Sequence, residues 1–79
     1  MMSNYQIRIK TGEGSLAKIS TSKYLRNIEG VDLLEAKDYV DRILDGEVIL
    51  LPTPRSEDTA EQHKKVLNEY GVECEILKA

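Results

Sequence analysis

The chain has 79 residues and a formal net charge of −3, and 32% of its residues are charged. A chain of this length forms one domain, residues 1–79, and it carries no apolar run long enough for a signal peptide or a membrane span. Its single cysteine, Cys74, has no partner for a disulfide within the chain, so we expect a reduced, cytoplasmic setting.

Charge is distributed unevenly along the sequence. Residues 1–27 contain five basic residues and one acidic residue, whereas residues 28–79 contain six basic and thirteen acidic ones. The separation predicts a basic docking surface on an acidic domain, with chance clustering as the alternative. Nucleic acid is an unlikely fit for this surface, because no aromatic residues alternate with the cations and the acidic remainder repels a polyanion.

The first predicted element is a strand at residues 5–10 (YQIRIK), where apolar and polar residues alternate. Its inward side consists of Tyr5, Ile7 and Ile9. The sequence TGEG ends the strand, and Ser15 is a suitable N-cap for a helix over residues 16–28. Gly30 follows as a favoured C-terminal residue.

The predicted first helix has a basic face. With about 100° between successive residues, the side that should pack on the sheet consists of Ala17, Ser20, Tyr24 and Ile28. The opposite, exposed side consists of Lys18, Ile19, Ser22, Lys23 and Arg26. A solvated helix face normally mixes charges of both signs, and this one has no acid. The pattern favours a surface that meets an acidic partner and has one apolar contact, with a merely soluble face as the alternative.

The second helix begins at the capping box DLLE, in which Asp32 is the N-cap and Glu35 the third helical residue, and it ends at Gly46. The residues predicted to be buried on it are Leu33, Ala36, Val40, Ile43 and Leu44. Lys37 lies at the border of this stripe, so its methylenes can cover apolar surface while its ammonium group extends the basic face of the first helix. Leu34 points away from the core.

The second predicted strand and the third predicted helix flank a loop that contains two prolines. Residues 47–51 (EVILL) predict a strand in which Val48 and Leu50 face inward, leaving Ile49 and Leu51 on the bare face of the sheet. Because these two outward residues are apolar and lie on an edge strand, they predict weak homodimerisation by edge pairing or face packing. After PTPRSED, a helix capped by Ser56 or Asp58 runs to Gly71.

The last predicted strand, residues 72–77 (VECEIL), alternates again. Val72, Cys74 and Ile76 face inward. The order β-α-α-β-α-β predicts an α+β fold, a two-layer sandwich with a three-stranded antiparallel sheet in order 2-1-3 and three helices on one face. In this order the first strand lies beside the last, which would pair Arg8 and Lys10 with Glu73 and Glu75.

Catalytic chemistry has no support in the sequence. His63 falls in the centre of the apolar stripe of the third helix, and Cys74 turns inward, where a thiol behaves as a small apolar group. One His and one Cys do not make a zinc site, and TGEGS lacks the Lys of a phosphate-binding loop. We therefore expect no enzyme and no catalytic, cofactor or metal site.

A resemblance covers residues 5–77. The segments YQIRIK, KISTSKYLRNIEGVDLLEAKDYV and AEQHKKVLNEYGVECEI resemble the C-terminal domain of the bacterial ribosomal stalk protein, with the EAKD block as the most specific part. The family's fold is similar to the one predicted above. In that family the domain recruits translational GTPases, which are elongation factors and their relatives, through an exposed patch on its first two helices. By position, the resemblance assigns this patch to Ile19, Lys23, Arg26 and Lys37.

The sequence also departs from the family pattern. Ser22 stands where the family has a second patch aliphatic, Thr21 replaces a core Val, and Asp32 replaces a loop glycine. The family's N-terminal dimerisation domain and its Ala/Gly-rich hinge have no counterpart in these residues. The initial Met-Met favours a stand-alone relative, such as a paralogue or a phage-encoded copy, over an excised domain.

A second family offers an alternative function. The order of elements and the end of the chain, VLNEYGVECEILKA, also resemble the ClpS protease adaptors, which present substrates to a protease. Those adaptors grip a substrate's amino group with an acidic Asn-Asp-Asp type loop after the first strand. The corresponding loop here is TGEGS, in which Glu13 is the one acid, so the resemblance to the stalk protein is the better supported.

Overall fold

The computed structural model describes residues 4–12 and 17–78. Its elements in chain order are β1 (Tyr5–Gly12), α1 (Lys18–Glu29), α2 (Leu33–Leu44), β2 (Ile49–Leu50), α3 (Glu57–Glu69) and β3 (Val72–Lys78). The predicted α+β fold and the order of its elements are confirmed. The predicted second strand is too long, because two of its five residues pair with β1.

The three strands form an antiparallel sheet in the predicted order, β2-β1-β3. Arg8 lies opposite Glu75, and the two side chains form an ion pair on the bare face of the sheet. The predicted second pair is wrong. An irregularity between Ile9 and Thr11 shifts the register, so that Thr11 instead of Lys10 lies opposite Glu73.

All three helices contribute to one hydrophobic core on the inward face of the sheet. Its members from the strands and the segment after β2 are Ile7, Ile9, Ile49, Leu51, Val72 and Cys74, and its members from the helices are Leu25, Val40, Ile43, Ala60 and Leu67. The alternation predicted for β1 and β3 is therefore confirmed at its central positions. Helix α1 packs mainly against α2, whereas α2 and α3 both lie against strands.

The facing predicted for the second strand is wrong. Ile49 and Leu51 are 4% and 0% exposed, whereas Val48 and Leu50 are 58% and 48% exposed. Residues opposite each other in an antiparallel pair share a face, and Ile49 lies opposite the buried Ile9. Val48 and Leu50 thus lie on the bare face, and self-association through this face or the β2 edge remains a prediction.

Two of the predicted helix caps are confirmed. The Asp32 carboxylate accepts a hydrogen bond from the Glu35 N–H at 2.8 Å, and the Ser56 hydroxyl accepts one from the Thr59 N–H at 3.2 Å. Ser15, the cap predicted for the first helix, lies outside the described residues. Helix α1 instead begins after Ala17, whose side chain cannot cap.

The rotation of α1 about its axis differs from the prediction by about one residue. Its buried residues are Thr21, Ser22 and Leu25, whereas the four residues predicted to face the sheet are half-buried. Ser22 is 6% exposed, so its place on the exposed basic face is wrong. Its hydroxyl donates to the Lys18 carbonyl oxygen at 2.6 Å, which satisfies the buried polar group within the helix.

The apolar stripe of α2 is confirmed in its centre but not at its start. Ala36, Val40 and Ile43 are buried and Leu44 is half-buried. Leu33 is 45% exposed, so the prediction that it is buried is wrong. It occupies the first turn of the helix, immediately after the cap, where the chain has just left the loop.

Candidate protein-interaction surface

The candidate surface lies on a helical hairpin. Helix α1 ends at Gly30, which has the left-handed conformation (φ 66°) and donates its N–H to the Arg26 carbonyl oxygen at 3.0 Å. Two further residues connect it to α2, so the two helices pack side by side. The N-terminal end of α1 is held by a hydrogen bond from the Ala17 N–H to the Tyr70 carbonyl oxygen at 2.9 Å. This bond attaches the start of α1 to the end of α3.

Five of the six residues predicted for the surface are exposed. Ile19 is 72% exposed, and Lys18, Lys23, Arg26 and Lys37 are exposed as well. Ser22, the sixth, is buried beneath them. An Ile this exposed gains little from folding, because most of its apolar surface stays in water. Its exposure among cations is the feature that the helical pattern predicted.

Some of these residues meet in a small groove between α1 and α2. This α1–α2 groove has a volume of about 180 Å³ and is lined by Lys18, Ile19, Ser22, Lys37, Val40 and Asp41. Val40 belongs to the core and Ser22 is buried, so they form the floor. Ile19 and the two lysines form the rim, together with one acid, Asp41. The groove thus combines an apolar contact with a small excess of positive charge.

The other two predicted residues line a different depression. Lys23 and Arg26 border a larger, shallow hollow of about 720 Å³, which also contains Ser20, Tyr24, Asn27, Gly30, Val31 and Tyr70. We call it the tyrosine depression. It shares no lining residue with the α1–α2 groove, and α1 forms the ridge between them. The surface predicted from the sequence is thus divided into two concave parts.

The cations of the surface take no part in the ion pairs formed among the described residues. Those pairs join Arg8 to Glu75, Arg42 to Asp38 and Glu47, and Arg55 to Glu29. Within residues 4–12 and 17–78, the charges of Lys18, Lys23, Arg26 and Lys37 therefore remain available to an external carboxylate. A patch of this kind favours rapid, salt-sensitive association over tight binding.

A cluster of aromatic side chains supports the wall of the tyrosine depression. The ring of Tyr24 lies edge-on to those of His63 and Tyr70, with centroid separations of 5.5 and 6.1 Å. The Tyr24 hydroxyl lies 2.6 Å from Nδ1 of His63. Burial raises the pKa of Tyr24, helped by Tyr70, and burial lowers the pKa of His63, helped by Arg55. Both side chains are therefore neutral near pH 7, and a hydrogen bond joins the Tyr24 hydroxyl to Nδ1 of His63.

The thiol of Cys74 faces inward, as the sequence predicted. Cys74 is 8% exposed, and burial raises the pKa of its thiol to about 11, a shift that nearby Lys64 slightly opposes. His63 packs against Tyr24 at the rim of the core.

In the described part of the chain, no cluster of three or more His, Cys, Asp or Glu side chains is arranged to bind a metal ion. No described helix has the length and apolar character needed to traverse a membrane.

Comparison with known proteins decides the family. A family model described as the ribosomal protein L7/L12 C-terminal domain matches residues 6–77. The chain belongs to this family. The large ribosomal subunit protein bL12 of Buchnera aphidicola subsp. Baizongia pistaciae is 39% identical to it over 59 residues, which are 75% of this chain and 45% of that protein. The family predicted from the sequence is confirmed, and the chain spans less than half the length of this relative.

This L7/L12 C-terminal domain has surface residues that sequence reasoning did not select. Asn27 and Tyr70 line the tyrosine depression, and Asp41 lines the α1–α2 groove. Asp41 follows Lys37 by four positions on α2, and that spacing would have placed it on the same face. Tyr70 carried no such signal, because it is brought to α1 from the end of α3 by tertiary packing.

The loop that would identify a ClpS-type adaptor is TGEGS, residues 11–15, and its one acid, Glu13, lies outside the described part of this L7/L12 C-terminal domain. The adaptor function therefore remains an alternative prediction from the sequence. Membership of the L7/L12 family supports the stalk-type function instead.

Proposed function

We propose that this chain is a non-catalytic protein-interaction domain that docks a translational GTPase, or a similar acidic protein surface, through α1 and α2. The observation that carries the proposal is Ile19, which is 72% exposed within a group of cations. Membership of the L7/L12 C-terminal domain family supports an interaction role in translation. The contact residues would be Lys18, Ile19, Lys23, Arg26 and Lys37, with Ser22 in the floor of the groove.

The chemistry of the groove defines how such a partner would dock. An apolar side chain of the partner would pack against Ile19 and Val40, and carboxylates beside it would pair with Lys18 and Lys37. Removing Ile19 from water supplies the apolar part of the binding free energy. Since the lysines are exposed, their attraction to carboxylates is screened by salt and acts mainly on the association rate.

An NMR titration of the domain with a translational elongation factor tests this function. Amide resonances of α1 and α2 should shift, and raising the ionic strength should weaken the complex. Ile19→Ala and Lys37→Gln should each weaken binding. Shifts confined to the bare face of the sheet, around Val48 and Leu50, would contradict the proposal.

Two matched variants control for nonspecific effects. Val48→Ala removes apolar surface from an exposed residue on the bare face, and Lys65→Gln removes an exposed positive charge from α3. Both should bind the elongation factor as the unmodified chain does. If Val48→Ala and Ile19→Ala were equally impaired, the contact would not depend on the groove.

A further inference from the structure

The tyrosine depression has the properties of a second contact site. Lys23, Arg26 and Asn27 place cationic and amide groups on its rim, and none of its lining residues is acidic. We propose that it takes an acidic segment of a protein partner, so that the partner contacts α1 from both sides. This inference rests on the proposed function, and it adds a second contact site, on the other side of α1 from the groove.

Both tyrosines in the wall of the depression are held in place by hydrogen bonds. Tyr70 is fixed through its backbone, since its carbonyl oxygen accepts from the Ala17 N–H and its N–H donates to the last turn of α3. Tyr24 is fixed through its hydroxyl by His63. Gly30, at the end of α1, also lines the depression. A preorganised wall lowers the entropic cost of binding, because few side chains must be ordered when a partner arrives.

Charge complementarity identifies the occupant. Lys23 and Arg26 form no ion pair with any described residue, so a neutral or basic segment would leave both charges without compensation. The carbonyl groups at the end of α1 carry partial negative charge, but Gly30 N–H engages one of them and the two full positive charges dominate. Half-buried Val31 and the tyrosine edges add apolar surface. The matching segment has carboxylates flanking an apolar or aromatic residue.

The position of α1 relates this site to the groove. Ile19 and Lys23 are one helical turn apart, yet Ile19 lines the groove and Lys23 lines the depression. A partner confined to the groove would leave Lys23 and Arg26 in water. A partner that crosses the ridge of α1 would engage the exposed apolar side chain and all four cations at once.

A change at Gly30 tests the site with a matched control. A side chain added there meets nothing within 4 Å, and its left-handed backbone is one that Asp and Asn tolerate better than other residues. Gly30→Asp therefore places a negative charge at the depression, and Gly30→Asn adds a neutral side chain of the same shape. The probe is the synthetic acidic peptide acetyl-EEFEELEE-amide, with acetyl-QQFQQLQQ-amide as its neutral counterpart.

We expect the acidic peptide to shift the resonances of Asn27, Gly30 and Tyr70, and the neutral peptide to leave them unchanged. Gly30→Asp should bind the acidic peptide about fivefold more weakly than Gly30→Asn at low salt, the size expected for one added like charge in water. Asn27→Asp, compared with the unmodified chain, should weaken binding in the same direction without adding a backbone strain. Thermal denaturation confirms that each variant is folded.

Three results would overturn the inference: no binding of the acidic peptide, shifts confined to the α1–α2 groove, or equal affinities of Gly30→Asp and Gly30→Asn. These are distinguishable from failure of the proposed function. An elongation factor that does not bind at all, while the peptide behaves as expected, would refute the choice of a GTPase and leave the depression as an acidic-segment site. The reverse pattern would retain the groove and remove the depression.

Discussion

The guanidinium of Arg55 donates to the carboxylate of Glu29 at 3.2 Å, and this ion pair is almost completely removed from water. The side chains are 8% and 0% exposed, respectively. Arg55 also donates to the Ile28 carbonyl oxygen at 3.1 Å, and the Thr53 hydroxyl donates to Glu29 at 2.7 Å. These bonds attach the end of α1 to the segment between β2 and α3. The hairpin that carries the candidate surface is therefore fastened to the domain at this point.

Breaking the buried ion pair should destabilise the domain strongly. Arg55→Met leaves the Glu29 carboxylate buried without its cation, and we expect the free energy of unfolding to fall by about 3 kcal/mol or more. Urea denaturation measures the loss. Arg42→Met is the control, because Arg42 pairs with Asp38 and Glu47 in an exposed setting and should cost less than about 1 kcal/mol. Equal losses in the two variants would show that the Arg55 pair is not effectively buried.

The exposed Ile19 should matter for binding and not for stability. Ile19→Ala should change the free energy of unfolding by less than about 0.5 kcal/mol, because its side chain remains in water after folding. Leu25→Ala, one to two turns further along α1, should cost about 2–5 kcal/mol, because Leu25 is fully buried. Urea denaturation of both variants provides the comparison. A large loss for Ile19→Ala would mean that this residue packs in the folded domain.

His63 should make stability depend on pH in a defined direction. Burial and Arg55 lower its pKa below the ordinary value of 6.5, while Glu29 opposes them, so the folded state takes up a proton less readily than the unfolded state. The free energy of unfolding should therefore be highest above pH 6.5 and decrease as the pH falls from 6.5 toward the folded-state pKa. Once His63 is protonated, Nδ1 can take part in the bond to Tyr24 only as a donor to the hydroxyl oxygen.

His63→Asn provides the matched control for this pH dependence. Its amide can hydrogen-bond with the Tyr24 hydroxyl in either direction, but it does not titrate. Unfolding free energies measured in urea between pH 7.5 and 5.5 should decline less in His63→Asn than in the unmodified chain. If the unfolding free energy of His63→Asn fell as much as that of the unmodified chain, His63 would not be the source of the pH dependence.

Cys74 should be unreactive in the folded domain. With a pKa of about 11, its thiolate is about 0.1% populated at pH 8, and the side chain is also shielded by the core. Alkylation by iodoacetamide should be slow in buffer and fast in urea, where the thiol becomes exposed and its pKa returns to the ordinary range. Mass spectrometry measures the rate of alkylation. Rapid alkylation of the folded protein would contradict the buried position of Cys74.

The strand order could be predicted because several independent constraints agree on it. Alternation in the segments around Ile7 and Cys74 specified which side of β1 and β3 is buried, since side chains on a strand alternate between faces. The glycines and the Asp32 and Ser56 caps located the helix ends. The number of crossing helices then decided the relative strand directions. Each of these signals is local, so it survives in the sequence without knowledge of the partner elements.

The errors occurred where local pattern is ambiguous. EVILL is apolar throughout its last four positions, so it contains no alternation, and the pairing of Ile49 with Ile9 decides which residues are buried. Helix α1 has apolar residues at several angles around its axis, and its contact with α2 selects Leu25 and the neighbouring Ser22 for burial. The bond between Glu29 and Arg55 joins residues far apart in sequence that have no recognisable spacing.

The sequence alone determined the family, the α+β architecture and the exposed position of Ile19, Lys23 and Arg26. The helical and strand periods and the EAKD block that indicate them depend only on residues close together in the sequence. The tertiary structure decided that the candidate surface consists of two concave sites. Tyr70 reaches α1 from the end of α3, and α2 supplies the other side of the groove around Ile19. The shape of a surface depends on how elements pack against one another, and packing is a property of residues distant in the chain.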